Sequence, residues 1–239
     1  MTVHKAHPNR VYAFAKACNH FAKTDKLDAK LLEKYAEFVS KDGEVKGCII
    51  SQKQEELKEL GAVERNLNDA IHANKCRLQS ATGKAREYIE RQIGFAEKQL
   101  KKIRQDIEDA IAELKGKNEL LISYKGIGSK TASVLLTEVP ELGRLENREI
   151  ACLVGVAPKT SESGRKVGKA QIKGGRFYAR KALYMSALVA MRHNRKMKAF
   201  YQRLVDSGKA AKVALVAVMR KIIVCLNAMI KNNNFYLDS

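Results

Sequence analysis

The stretch IERQIGFAEKQLKKIRQDIEDAIAEL, residues 89–114, decides the fold class. Its apolar residues are Ile89, Ile93, Ala96, Leu100, Ile103, Ile107, Ile111 and Leu114, with Glu, Lys, Gln and Arg filling the gaps. Steps that alternate between three and four keep one side of an α-helix apolar and form the seam of a coiled coil. Leu57, Leu60, Leu67, Ile71 and Leu78 continue the stripe upstream, and Thr82-Gly83 interrupts it. The interruption predicts two helices folded back on each other, an antiparallel coiled-coil hairpin over residues 48–118, with one continuous helix as the alternative. Such an arm is a spacer or a dimerisation element.

Helical periodicity extends outward on both sides. Towards the N-terminus, residues 11–18 read as a helix, and Leu31, Leu32, Tyr35, Phe38 and Val39 mark a second one that Thr24 or Asp25 can cap. Towards the C-terminus, helices are predicted over 177–191, 197–205 and 211–230, with core stripes such as Leu183, Ala187, Leu188 and Met191. The expectation is a mainly α chain in three parts: residues 1–47, 48–118 and 119–239.

Charge separates these parts. The protein carries 45 Lys and Arg against 26 Asp and Glu, a formal net charge of +19. Residues 1–119 hold 23 basic and 19 acidic residues, whereas residues 120–239 hold 22 and 7. A surface built only for solubility intersperses the two signs. An excess confined to one half predicts a polyanionic partner, most simply nucleic acid. The five cysteines, at 18, 48, 76, 152 and 225, form no CxxC pair, which argues against zinc ligation and a disulfide framework. The N-terminus has no apolar signal-peptide core, and Arg220 and Lys221 split the longest apolar run. The apolar pieces are therefore expected to be too short to span a bilayer, and an intracellular, cytosolic protein is expected.

Two segments can meet a phosphate. In Leu120-Leu-Ile-Ser-Tyr-Lys-Gly-Ile-Gly-Ser-Lys-Thr-Ala, a helix ends near Tyr124 and another starts near Ser129. This is the pattern of a helix-hairpin-helix. Lys125, Gly126, Gly128, Ser129, Lys130 and Thr131 surround free helix amides that favour an anion. Beyond Pro158 comes a Ser- and Gly-rich loop, in which Arg165, Lys166, Lys169, Lys173, Arg176 and Arg180 are candidate DNA contacts. A serine in such a field is either a backbone contact or a nucleophile, and Ser129, Ser161 and Ser163 remain equal candidates on physical grounds. Asp25 and Asp28 lie three apart at a helix start, so their carboxylates share a face. They either cap the helix or contribute to a Mg²⁺ site.

Several motifs carry a family resemblance. Ile127-Gly-Ser-Lys-Thr-Ala, Glu141-Leu-Gly-Arg-Leu, Val154-Gly-Val-Ala-Pro158, Ser163-Gly164, Ile172-Lys-Gly-Gly-Arg176, Ala182-Leu-Tyr-Met-Ser-Ala187, Arg192-His-Asn and Phe200-Tyr-Gln-Arg-Leu resemble the C-terminal domain of the IS-one-ten family of insertion-sequence transposases. That family includes the Piv-type DNA invertases and the IS-eleven-eleven subgroup. His7-Pro-Asn-Arg-Val and Ala22-Lys-Thr-Asp-Lys-Leu-Asp-Ala29 are similar to the end of the family's RuvC-like domain. The resemblance implies a site-specific DNA recombinase that binds double-stranded DNA and a bridge RNA and assembles as a homo-oligomer. It implies a cytoplasmic, nucleoid-associated bacterial protein with no membrane partner. It makes Ser163 the nucleophile, and Asp25 and Asp28 the last two of four Mg²⁺-binding acids. The first two acids have no counterpart here, so residues 1–47 are expected to be the remnant of a shortened RuvC-like domain. Cleavage by this chain alone is then expected to be weak. The alternative is a catalytically dead DNA-binding remnant that interferes with a full-length copy.

Overall fold

A computed structural model describes residues 6, 8–19, 25–41, 51–114, 116–160, 162–163, 166–167 and 170–236. The chain divides into two units, residues 1–49 and 50–239. The fold is mainly α, as the periodicity predicts.

The first unit contains two helices, α1 (Pro8–Ala17) and α2 (Asp25–Lys41). Proline suits the first helical position, where its missing N–H is not needed. Leu31, Tyr35 and Val39 recur every four residues along α2 and are buried. Phe14 of α1 meets Tyr35 edge-on at 5.4 Å and Phe38 at 5.5 Å. Thr24, the alternative cap of α2, lies outside the described residues.

The second unit begins with α3 (Gln52–Leu78) and α4 (Gly83–Glu113). Ser51 starts α3 with a capping box: its hydroxyl accepts from the Gln54 amide, and the Gln54 side chain accepts from the Ser51 amide. Cross-pairs fix the direction of α4. Lys53 meets Glu113 at 2.6 Å, Arg104 meets Glu64 at 3.0 Å and Lys75 meets Glu97 at 2.8 Å, so the two helices run antiparallel. The seam is buried in two blocks. Ile71, Ile93, Ala96 and Leu100 close the outer half on themselves. Leu57, Ile107 and Ile111 at the stem join the core of the helices that follow.

Those helices are α5 (Lys117–Ser123), α6 (Ser129–Glu138), α7 (Asn147–Val154), α8 (Phe177–His193), α9 (Arg195–Asp206) and α10 (Ala211–Asn232). α5, α7, α8 and α9 pack against α10, whose Val218, Ile222, Ile223 and Leu226 are fully buried. This corrects one expectation. A helix reads straight through Arg220 and Lys221, so α10 is long and apolar enough to cross a membrane. Its apolar residues are nevertheless the centre of this core. Three buried polar side chains are satisfied by hydrogen bonds, as burial demands. Asn227 on α10 accepts from the Gly143 amide and donates to the Leu145 carbonyl, both at 2.8 Å. Asn194 caps α9 by accepting from the Met197 amide and donates to the Tyr236 hydroxyl at 2.9 Å. Gln54 donates to the Pro140 carbonyl at 3.3 Å, which ties α3 to the turn after α6.

Residues 158–172, expected as a loop, contain four two-residue strands: β1 (Pro158–Lys159), β2 (Glu162–Ser163), β3 (Lys166–Val167) and β4 (Gln171–Ile172). β1 pairs with β4, and β2 with β3, all antiparallel. Nested pairs of this kind make one hairpin in two tiers.

Candidate nucleic-acid interface

The hairpin stands on a close-packed base. Gly155 ends α7 in the left-handed conformation, and the Arg176 amide returns to donate to the Leu153 carbonyl at 2.9 Å. Gly175, at φ +74°, lies so near Gly155 that a Cβ on it would come within 2.4 Å of the Gly155 Cα. Only glycine pairs the strands of the base this tightly. Arg180 then threads its guanidinium under the crossing. Its Nη1 donates to the Gly174 carbonyl at 2.5 Å and approaches the carbonyls of Val154 at 3.4 Å and Gly155 at 3.5 Å. Arg176 donates to both carboxylate oxygens of Glu141 at 2.5 Å and to the Glu138 carbonyl at 2.6 Å. Burial pushes the Glu141 carboxyl up, but the hydrogen bonds and charge of Arg176 outweigh it and hold it below the ordinary carboxylate value. Both arginines were read in the sequence as DNA contacts, and the structure commits both guanidiniums to the base of the hairpin.

Ser163 occupies the opposite end. It is paired with Lys166 in the outer tier. Lys166 is therefore its cross-strand partner. Lys173 is exposed just beyond β4. Ser161, Gly164, Arg165 and Lys169 lie outside the described residues.

The second predicted phosphate contact, the turn between α5 and α6, divides by role. Gly126, at φ +115°, faces α8, and a Cβ there would sit 2.9 Å from the Ala190 Cβ. Its glycine serves helix packing. Thr131 is half-buried, with its hydroxyl 3.4 Å from the Ser186 hydroxyl on α8. Gly128, Ser129 and Lys130 are exposed, and no side chain caps the α6 amides. Lys125 is exposed one turn earlier. Lys130 projects where two clefts meet. One, about 490 Å³, includes Arg104, Asn118 and Ser129, and the other, about 600 Å³, includes Thr131, Tyr178 and Lys181. Arg65 on α3 crosses the second cleft to pair with Glu138, and its guanidinium lies 4.8 Å from the centre of the Tyr178 ring. The arm and the hairpin base thus share the segment Glu138–Glu141. Sequence reasoning gave no role to Arg65, Glu138 or Glu141, although Glu141 opens one of the family motifs. Each is ordinary in type and acquires its role from partners far away in the chain.

In the first unit, Asp25 is exposed and Asp28 half-buried in the first turn of α2. They share a face, as their spacing predicts. Mg²⁺ is commonly held by one or two carboxylates together with waters and substrate phosphates, so the pair suits part of such a site. Among the described residues no cluster of three or more acidic, histidine or cysteine side chains is present.

Residues 118–202, from α5 into α9, match the family model for transposases of the IS116/IS110/IS902 family. The chain is also similar to the pilin gene-inverting proteins of Moraxella bovis and Moraxella lacunata. Each is 26% identical over 95% of this chain and 71% of the relative. An uncharacterized 43.6 kDa protein of insertion element IS110 from Streptomyces coelicolor is 30% identical over 54% of this chain and 32% of its own length. The match and the relatives together support a transposase of the IS110 type. The family resemblance read from the motifs is borne out, and with it a role in DNA transposition or recombination and DNA as the partner. The matched region contains the α5–α6 turn, the hairpin and its base. It leaves out Asp25, Asp28, most of the arm and all of α10.

Proposed function

We propose that this chain exchanges DNA strands with Ser163 as its nucleophile. The observation that carries the reading is the position of Ser163. It lies in the outer strand pair of a hairpin whose base is locked by Arg176, Arg180 and paired glycines. A nucleophile must be held at its target with little freedom, and an anchored hairpin supplies that. The Ser163 oxygen attacks phosphorus and gives up its proton as the new P–O bond forms. The P–O bond to the leaving sugar breaks, and that sugar oxygen takes a proton. The phosphoserine link conserves the bond for rejoining by the reverse steps. Lys166 and Lys173 supply positive potential to the developing charge. The exposed amides of α6, with Lys125, Ser129 and Lys130, grip backbone phosphates in the manner of a helix-hairpin-helix.

Asp25 and Asp28 are the residues that would hold Mg²⁺, an ion that would supply Lewis-acid charge stabilisation to phosphoryl chemistry. A structured bridge RNA is the proposed second partner. A second copy meets the outer face of α4, where Tyr88 and Phe95 are 64% and 66% exposed. Isolated aromatics of that size on a helix arm support a contact between copies.

The test is covalent capture. A nicked duplex that traps the intermediate is incubated with the chain, Mg²⁺ and the guide RNA, and protein–DNA adducts are resolved under denaturing conditions. The expected result is an adduct with the native chain and none with Ser163→Ala, with DNA binding unchanged. An adduct that persists in Ser163→Ala refutes the nucleophile. Binding without an adduct in the native chain leaves a DNA-binding protein without cleavage.

A further inference from the structure

One-sided charge also lies away from the hairpin. From Arg192 to Lys221 there are nine Lys and Arg residues and a single acid, Asp206. Asp206 accepts from Gln202 at 2.7 Å. At the junction of α9 and α10, Phe200 is half-buried and two cations lie over its ring. The Arg203 guanidinium is 5.4 Å and the Lys221 ammonium 4.4 Å from the ring centre. One turn further along α10, burial pushes the Cys225 thiol up, while Lys221 and Lys196 oppose that shift. Both ammonium groups therefore act on the same small region.

A ring attracts each cation but does not neutralise it, so the cations still repel one another. Among the described residues, no carboxylate pairs with Arg203 or Lys221. The arm behaves differently, since Lys53, Lys75, Arg86 and Arg104 each meet a glutamate there. Arg203 and Lys221, gathered over one ring with no carboxylate on them among the described residues, call for an anion from outside the chain. The extent of the charge says which anion. Arg192, Arg195 and Lys198 are exposed near the start of α9, and Lys209 and Lys212 are exposed past its end. A helix of this length spans roughly 18 Å at 1.5 Å per residue. A single phosphate cannot cover that distance. A duplex can, because it presents a charge about every 1.7 Å along its axis.

We propose that α9 and the first half of α10 form a second backbone-binding face for duplex DNA, centred on Arg203 and Lys221 held over Phe200. The proposal rests on DNA being the partner of this family. Contacts of this kind position a duplex and do not read its sequence. Phe200 is the preorganising element, because it holds two flexible charged side chains before DNA arrives.

The experiment measures affinity against salt for a duplex of about 30 base pairs that carries no target sequence, with the full chain, by fluorescence anisotropy. Each lost phosphate contact lowers the log–log slope by about 0.9, so Arg203→Gln with Lys221→Gln should lower it by about 2. Lys98→Gln with Lys102→Gln on α4 makes the same change in net charge and should leave the slope unaltered. Phe200→Leu keeps every charge and should weaken binding by about two- to fivefold. Melting curves monitor the fold, and if the double variant melts early, Phe200→Leu decides the question. A native chain that binds with a slope unmoved by the double variant overturns the proposal. So does an equal drop in the α4 control, or a loss confined to single-stranded RNA of the same length. A native chain that ignores DNA at low salt overturns the functional reading itself.

Discussion

Arg176 and Arg203 belong to the same domain and carry the same charge, yet their surroundings are opposite. Arg176 spends its guanidinium on Glu141 and a backbone carbonyl, with its side chain 22% exposed. Arg203 rests on Phe200 beside Lys221, and no carboxylate pairs with it among the described residues. A planar fork of donors serves both ends: it can lock a carboxylate on two bonds or present itself to an external phosphate. The comparison divides the basic half of the chain into cations that build the molecule and cations left for a partner. Net charge alone cannot make that division.

The largest effect that can break the comparison is on stability at the hairpin base. Arg176→Ala leaves Glu141 buried without its partner, and breaking a buried pair from one side is costly. The expected loss is about 3 kcal/mol in chemical denaturation. Arg176→Lys should recover little of it, because one ammonium does not reproduce the bidentate fork. The pH dependence carries a definite sign. The Glu141 carboxyl is held below its ordinary value, so its stabilisation is complete above the unfolded value and is lost as pH falls through the folded one. Native chain should therefore lose stability in acid more steeply than Arg176→Ala. If Arg176→Ala is neutral, Arg176 is a free cation and the division fails.

A smaller effect sharpens the same side. Gly175→Ala must place a Cβ where the Gly155 backbone already stands, at a positive φ. Strain of this kind costs about 1–3 kcal/mol. The more telling readout is the Ser163 adduct, which should fall further than the stability loss alone explains, because the hairpin would be re-aimed. An adduct yield that follows only the folded fraction would mean that the base holds the domain together without directing the hairpin.

The helices were legible in the sequence because their cause is local. The seam from Ile89 to Leu114 needs only its own spacing, and the stem and outer half are buried where that spacing places them. The α5–α6 turn was legible for the same reason. The hairpin was not, since four two-residue strands leave no alternation to read. The fates of the arginines were not legible either. Arg176 depends on Glu141, 35 positions away, and Arg180 depends on carbonyls brought together by a glycine crossing. Gly126 belongs to the same group: its sequence neighbours suggest a phosphate cradle, whereas its space is set by Ala190 on α8. Ser163 was singled out by motif, and its place in the outer tier of the hairpin emerged only from the strand pairing.

The smallest expected effect tests the other side. Arg203→Gln removes a charge that no carboxylate balances among the described residues, and it loses only a cation–ring contact at 5.4 Å. Such a contact is worth about 0.5–1 kcal/mol at an exposed site. Relief of repulsion from Lys221 over the same ring acts in the opposite direction. The two contributions nearly cancel, and the change in folding stability should stay within about 0.5 kcal/mol. Added salt separates them, because it screens the repulsion between exposed charges. At low salt the variant should therefore compare most favourably with the native chain, and at high salt it should fall slightly below it. A loss near that of Arg176→Ala would place Arg203 among the cations that build the fold, and the two arginines would no longer differ in kind.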